Sequence, residues 1–180
     1  MKKALLVIDV QNEYFTGKLK VTYPSNSLDN ILKVMDYAKA NNMITILVQH
    51  TAFSGDTFVK DSREWEIHPK ILKKHYNYHI EKTKPSSFHN TNLEKILGKE
   101  NIEGIVICGY MTQMCCDTTA REAFHKGYGV EFLSDATGTI DVSNKIGTIS
   151  SEDLHKATLM AQSLRFSNVL SSKEWMNNKY

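Results

Sequence analysis

No run of about 18 apolar residues occurs in the 180-residue chain, so no membrane-spanning helix is expected. A strong charge of either sign is missing too. Against 20 acidic side chains stand 22 basic ones, and a net charge of +2 is too small to argue for nucleic acid or an anionic membrane as partner. Cysteine is scarce: the three copies include the adjacent pair Cys115 and Cys116, which is no disulfide framework and fits a reducing cytoplasm. No G-x-G-x-x-G or Walker A segment is present, which counts against a nucleotide- or flavin-binding module. Internal repeats, low-complexity tracts and linkers are absent, so residues 1–180 read as one domain with room for a core.

What is there alternates. The start, M-K-K-A-L-L-V-I-D, is basic then apolar, like a leader peptide. Asp9 cuts it short and no small-residue cleavage site follows, so Ala4 to Ile8 reads as a first strand ending in a carboxylate. Leu28, Ile31, Leu32, Val34, Met35 and Ala38 recur at helical spacing and predict a helix over Ser27 to Ala40. Met43 to Val48 is a second strand, running into Gln49-His50, and Tyr78 to Lys82 a third. Asn90 to Leu97 is a short helix, with Asn90 or Thr91 as cap and Gly98 as stop. Val130 to Leu133 is a further strand, ending near Asp135. Glu152 to Leu164 is helical with Ser151 as cap, and Asn168 to Leu170 is a last strand. The tail, Ser171 to Tyr180, is polar and receives no assignment. Thr51 to Lys70 and Thr137 to Ser150 read as polar loops, the first long enough to be a functional loop or lid. Continuous apolar strands alternating with helices predict an α/β fold: a three-layer, doubly wound, Rossmann-like sheet of about six mostly parallel strands with helices on both faces. In such sheets ligands bind beyond the carboxyl ends of the strands. Asp9, His50, Lys82, Tyr110 and Asp135 all fall at those ends.

The densest chemistry lies in G-I-V-I-C-G-Y-M-T-Q-M-C-C-D-T-T-A-R-E-A, residues 104–123. Ile105 to Cys108 is a buried strand, Gly109-Tyr110 a sharp break, and Thr112 the cap of a helix that runs to about Lys126 before Gly127. Cys115 then sits in the first helical turn, where free N–H groups and the helix dipole favour a thiolate. A thiol near neutral pH still needs a base. Asp9 is the candidate base and Lys82 the candidate cation. Taken alone, a strand-end carboxylate capping a turn and a solvated lysine are ordinary alternatives, and the spacing by itself does not choose.

Three pieces together carry a resemblance: L-L-V-I-D-V-Q-N, E-K-T-K-P-S-S-F, and I-C-G-Y-M-T-Q-M-C-C-D-T-T-A-R-E-A-F. They resemble the isochorismatase-like cysteine hydrolases, a superfamily of nicotinamidases, carbamoylsarcosine amidohydrolases and relatives, in the same order along most of the chain. The resemblance implies Asp9, Lys82 and Cys115 as the catalytic set. Lys82 is chosen over Lys84 because it stands four residues before Ser86-Ser87-Phe88; Cys115 is chosen over Cys116 because it precedes C-D-T-T-A-R. It further implies a cis peptide joining Tyr110 and Met111, and an oxyanion hole from the N–H groups of Met111 and Cys115. The activity implied is hydrolysis of a small amide or related C–N bond through a thioester, with no cofactor, on a small-molecule substrate, by a homodimer or homotetramer. A vinyl ether hydrolase of the isochorismatase type is the alternative, and the retained cysteine counts against it. A non-catalytic Rossmann-like binding module is another, and the intact Asp, Lys and Cys set counts against that.

Other residues receive narrower readings. Nicotinamidases of the superfamily often hold a metal on an Asp-x-His pair; here the place reads Gln49-His50-Thr51, so no metal is expected and nicotinamide is a weaker substrate candidate. His75 and His79 are spaced i, i+4 and would share a helix face, but no third ligand is evident and a strand is an equal reading. Phe15, His50, Trp65, Phe88 and Tyr110 are candidate pocket walls. Trp65 and His68 would fix the long loop. Gln11 and Asn12 could orient Asp9, Asp135 would bond nearby loop N–H groups, and His155 and Arg165 look like packing and surface positions. Cys116 is expected on the helix packing face and Cys108 in the core. Asp9-Val10-Gln11 lacks the second aspartate of a haloacid-dehalogenase-type phosphotransferase.

Overall fold

The structure, a computed structural model, describes residues 1–178. Along the chain run β1 (Lys3–Ile8), α1 (Ser27–Ala40), β2 (Ile44–His50), α2 (Pro69–Leu72), β3 (Tyr78–Lys82), α3 (Leu93–Lys99), β4 (Gly104–Tyr110), α4 (Asp117–His125), β5 (Gly129–Gly138), β6 (Val142–Asn144), β7 (Gly147–Ile149), α5 (Ser151–Arg165), β8 (Asn168–Leu170) and α6 (Ser172–Asn177). Six strands form one sheet in the order β3-β2-β1-β4-β5-β8, and every neighbouring pair in it is parallel.

The continuous apolar strands are explained by burial on both faces. In β1, Ala4, Leu6 and Ile8 face one core and Leu5 and Val7 the other. The first core is closed by α3 and α4 through Leu93, Ile96, Leu97, Ala120 and Ala123. The second is closed by α1, α2 and α6 through Ile31, Val34, Met35, Ile71 and Trp175. Burying each such aliphatic side chain of α1 contributes about 1.5–3 kcal/mol. No helix among the described residues is long and apolar enough to cross a membrane.

Several boundaries differ from the sequence reading. β4 does not break at Gly109; it continues to Tyr110 with a register shift between Ile107 and Gly109. Gly109 has φ +117, and a Cβ there would lie 2.0 Å from the carbonyl oxygen of Ile8, so only glycine lets β4 pass β1 this closely. β5 runs past Asp135 to Gly138 because Thr137 and Gly138 pair with Gly109 and Tyr110. The loop from Thr137 contains the hairpin β6-β7. α3 starts and ends later than expected and includes Gly98; Thr91 still accepts from the N–H of Leu93, just before the helix. The cap of α5 is Ser150, one residue before the expected one. The unassigned tail holds α6, opened by a capping box between Ser171 and Glu174. That box aims Trp175 inward, where it is fully buried and donates to Glu131. Lys179 and Tyr180 of that tail lie outside the described residues.

Strand order reverses at β1. From there β2 and β3 lie on one side and β4, β5 and β8 on the other. The crevice for a ligand is therefore expected beyond the carboxyl ends of β1 and β4. Asp9 follows β1, and the chain from Met111 to Cys116 follows β4.

Candidate active site

Asp9 leaves β1 with φ +52, and its N–H donates to Val48 on the neighbouring strand. Lys82 is the last residue of β3 and pairs in register with His50, the last of β2. Cys115 lies in a π-helical turn, Thr112–Cys116, that leads from β4 into α4. These separate elements bring Asp9, Lys82, His50 and Cys115 together. The Lys82 ammonium donates to Asp9 Oδ2 at 2.7 Å and to Cys115 Sγ at 3.2 Å, and it lies 3.1 Å from His50 Nδ1. The side chains of Asp9 and Lys82 are fully buried, and Cys115 is 7% exposed. The bond between Tyr110 and Met111 is cis.

Thr112 is not the side-chain cap expected of it. Its hydroxyl faces His155 Nδ1 at 2.8 Å, while His155 Nε2 meets the carbonyl of Ser134 at 2.8 Å. A histidine read as a packing position therefore ties α5 to the turn that carries Cys115. With that turn π-helical, Cys115 does not occupy the third position of an α-helix. The dipole argument for a resting thiolate gives way to a stronger effect. Burial, then the negative charge of Asp9, push the Cys115 thiol well above its ordinary range, against the pull of Lys82. Burial opposes the charge on Lys82, but Asp9 and Cys115 outweigh it and raise its pKa. The resting arrangement thus holds Lys82 as an ammonium and Cys115 as a thiol, both beside Asp9. In it the Cys115 proton can pass to Asp9 as the sulfur attacks.

Cys116, beside it, is fully buried among Ala120, Ala123 and the α4 core, and Cys108 lies within the opposite core. Burial raises the pKa of Cys108, Cys115, Cys116, Tyr14 and Tyr110 above the ordinary values of 9.0 for a thiol and 10.0 for a phenol. The unfolded chain sheds these protons at the ordinary values while the folded chain keeps them, so stability falls as pH rises past 9.0. The loss is up to about 1.4 kcal/mol per pH unit for each group. Lys82, whose pKa is also raised, adds to the loss once the pH passes its ordinary value of 10.5, because the unfolded chain then gives up a proton that the folded chain keeps. Melting temperatures measured from pH 7 to 11 should fall steadily above pH 9; a flat profile would contradict this account.

The candidate pocket walls separate. Phe15 and Tyr110 line one cavity of about 230 Å³ with Val21, Pro24, Ser27 and Leu28, on the α1 side, and Cys115 is not among its walls. Phe88 packs into the same buried cluster as Cys115 and the α3 and α4 core residues, and stacks on Tyr128, 6.0 Å between ring centres. Trp65 fixes the long loop, its indole donating to Thr51 and its carbonyl accepting from Gln11 and Gln49. His68 caps α2. The N–H of Gln11 donates to the Asp9 carbonyl, but the side chains of Gln11 and Asn12 bond elsewhere. Gln11 bonds the main chain of His50 and Trp65, and Asn12 bonds that of Arg63, so both hold the loop across the strand ends. Asp135 bonds Asn30 and the N–H and hydroxyl of Ser172, away from Cys115 as its structural reading requires. Arg165 is exposed at the end of α5.

Two aromatic residues near the site escaped the sequence reading. Tyr14 is 2% exposed, packs on Phe58 and Tyr110, and its hydroxyl is held protonated chiefly by burial. Phe58, at φ +53, packs T-shaped on His50, 5.3 Å between ring centres. Tyr14 ends a single 3₁₀ turn, Asn12–Tyr14, and Phe58 lies in irregular chain, so no apolar periodicity marks either.

As for metals, His79 lies on β3 and bonds Gln49, and His75 lies in the non-helical segment before that strand, so the shared helix face does not exist. Asp9, His50 and Cys115 each offer a ligand atom, and these lie within 4.8 Å of one another. A carboxylate, an imidazole and a thiol form a donor set suited to a divalent cation. Lys82 already places a positive charge among them.

Comparisons with known proteins place the chain in a family. A profile of the isochorismatase domain matches residues 3–174. The isochorismatase family protein YddQ of Bacillus subtilis is 32% identical over 98% of this chain and 99% of its own. Nicotinamidase 3 of Arabidopsis thaliana is 33% identical, over 87% of this chain and 78% of its own. A crystal structure from Burkholderia xenovorans LB400, assigned provisionally to the isochorismatases, superposes with a TM-score of 0.94 at 39% identity, covering 97% of this chain and 85% of that one. On the profile match, the curated relatives and the shared fold together, the chain belongs to the isochorismatase family of hydrolases.

Proposed function

We propose that the protein hydrolyses a small amide or related C–N bond through a covalent thioester on Cys115. The observation that carries this reading is the buried Lys82 ammonium set between Asp9 and Cys115, at 2.7 and 3.2 Å, beyond the carboxyl ends of β1 and β4. The likeness to Nicotinamidase 3 supports a C–N bond as the target. The slight exposure of Cys115 supports a small substrate.

In the proposed sequence, Cys115 transfers its proton to Asp9 as its sulfur bonds to the carbonyl carbon. The carbonyl oxygen takes up the electron pair, and the N–H groups of Met111 and Cys115 hold it. Donors of this kind, aimed at developing charge, are a large catalytic contribution. Asp9 then gives the proton to the nitrogen, the C–N bond breaks, and the amine or ammonia leaves a thioester. A water loses a proton to Asp9 and attacks the thioester carbon. Collapse releases the acid, and the sulfur recovers its proton from Asp9. Lys82 stays charged throughout and offsets the negative charge that moves between sulfur and carboxylate.

An ammonia-release screen over carboxamides, carbamates and ureides, run beside Cys115→Ala, tests the reading. At least one class should release ammonia above the variant. No release above the variant from any class would overturn the assignment of C–N hydrolysis.

A further inference from the structure

Lys82 has more partners than the Asp–Lys–Cys set accounts for. A lysine ammonium offers three N–H bonds and accepts none. Three acceptors stand within reach of it: Asp9 Oδ2 at 2.7 Å, Cys115 Sγ at 3.2 Å and His50 Nδ1 at 3.1 Å. With the ammonium buried, each N–H has one of these atoms to meet. His50 Nδ1 must then be the acceptor, which puts the ring proton on Nε2 and leaves the ring neutral. The surroundings agree. Burial and the charge of Lys82 lower the pKa of His50, with Asp9 opposing them.

The imidazole is itself held. The side-chain amide of Gln11 bonds the His50 main chain in both directions, accepting from its N–H at 2.9 Å and donating to its carbonyl at 2.9 Å. Phe58 packs T-shaped against the ring, 5.3 Å between ring centres. His50 and Lys82 also sit opposite one another in the β2–β3 register. A side chain meant mainly to touch substrate has no need of such an arrangement, whereas one that must present a nitrogen at a fixed point does.

We propose that His50 is a positioning residue: by accepting the third N–H of Lys82, it holds the other two on Asp9 and Cys115. Of the two readings open for a strand-end histidine, a pocket wall or a structural hydrogen bond, this takes the second and gives it a task. It goes beyond the proposed reaction and concerns the resting site, so it can be tested without a substrate.

The probe is iodoacetamide. Alkylation of Cys115 at pH 8, followed by mass spectrometry of its peptide, reports how well Lys82 supports the sulfur. The variants are His50→Leu, which keeps bulk and removes the acceptor, and His50→Asn, whose side-chain carbonyl can accept in place of Nδ1. By analogy with partners that orient metal ligands, His50→Leu should slow alkylation roughly 10-fold or more, and His50→Asn should stay within about 3-fold of the parent protein. Circular dichroism confirms that each variant is folded; if His50→Leu does not fold, His50→Ala is read in its place. Equal alkylation rates in the acceptor-lacking and acceptor-keeping variants would overturn the proposal. So would a loss confined to KM, with kcat and alkylation unchanged, once an amide substrate is in hand, because that pattern belongs to a pocket wall. Failure of the ammonia screen alone leaves the alkylation result standing, so the two readings fail separately.

Discussion

Cys115→Ser should abolish turnover, lowering kcat by roughly 10⁴-fold or more, the scale seen when a covalent nucleophile is removed. The protein should stay folded, because the change replaces one sulfur by oxygen at a site where Lys82 can still donate to it. The neighbour supplies the control. Cys116 is fully buried against α4 and makes no contact with Lys82 among the described hydrogen bonds. Cys116→Ala should keep kcat within about 10-fold and lower the melting temperature, since it removes buried volume from a packed core. Kinetics on the substrate found by the ammonia screen, with melting curves for both variants, decide the matter. Substantial turnover by folded Cys115→Ser would refute the nucleophile assignment, and so would loss of turnover in folded Cys116→Ala.

Lys82→Met should be the most destabilising of the site substitutions. It leaves the carboxylate of Asp9, fully buried, without its partner. Removing one member of a buried pair typically costs 3–5 kcal/mol, or about 6–20 °C in melting temperature for a chain of this size. Asp9→Asn should cost a similar amount for the mirrored reason, an ammonium left with too little negative charge around it. The informative variant is the double one. Asp9→Asn with Lys82→Met removes both charges, and its stability should exceed the sum expected from the singles by at least about 2 kcal/mol. All three variants should be inactive. Denaturant titrations of the four proteins give the coupling directly, and simple additivity would show that the pair is not an interacting unit in the fold.

The architecture was legible because its signals are local. Four- to six-residue apolar runs such as Ala4 to Ile8 can be buried only on both faces, and that demands helices above and below. Helical spacing over Ser27 to Ala40 placed α1 at its observed bounds. The misreadings are equally physical. Thr112 looks like a cap because threonine often is one, yet a buried histidine 43 residues away takes its hydroxyl. Ser171 to Tyr180 looks polar because nothing local reveals that Trp175 has a slot between Tyr37 and Glu131. Gln11 and Asn12 follow Asp9 in sequence, but their side chains reach into the long loop.

By itself, the sequence determined that this chain forms a parallel α/β sheet and offered Asp9, Lys82 and Cys115 as candidates, and it was the resemblance to the isochorismatase-like hydrolases that chose them over the ordinary alternatives. Apolar periodicity and side-chain chemistry are properties of neighbours along the chain, so both can be read there. Tertiary structure alone decided that Lys82 lies between the other two and also reaches His50, and that the Cys115 turn is π-helical. It also decided that burial and Asp9 keep the resting sulfur protonated. Those outcomes depend on distances between residues 32 to 73 positions apart and on exclusion of water, and neither exists until the strands have been brought side by side.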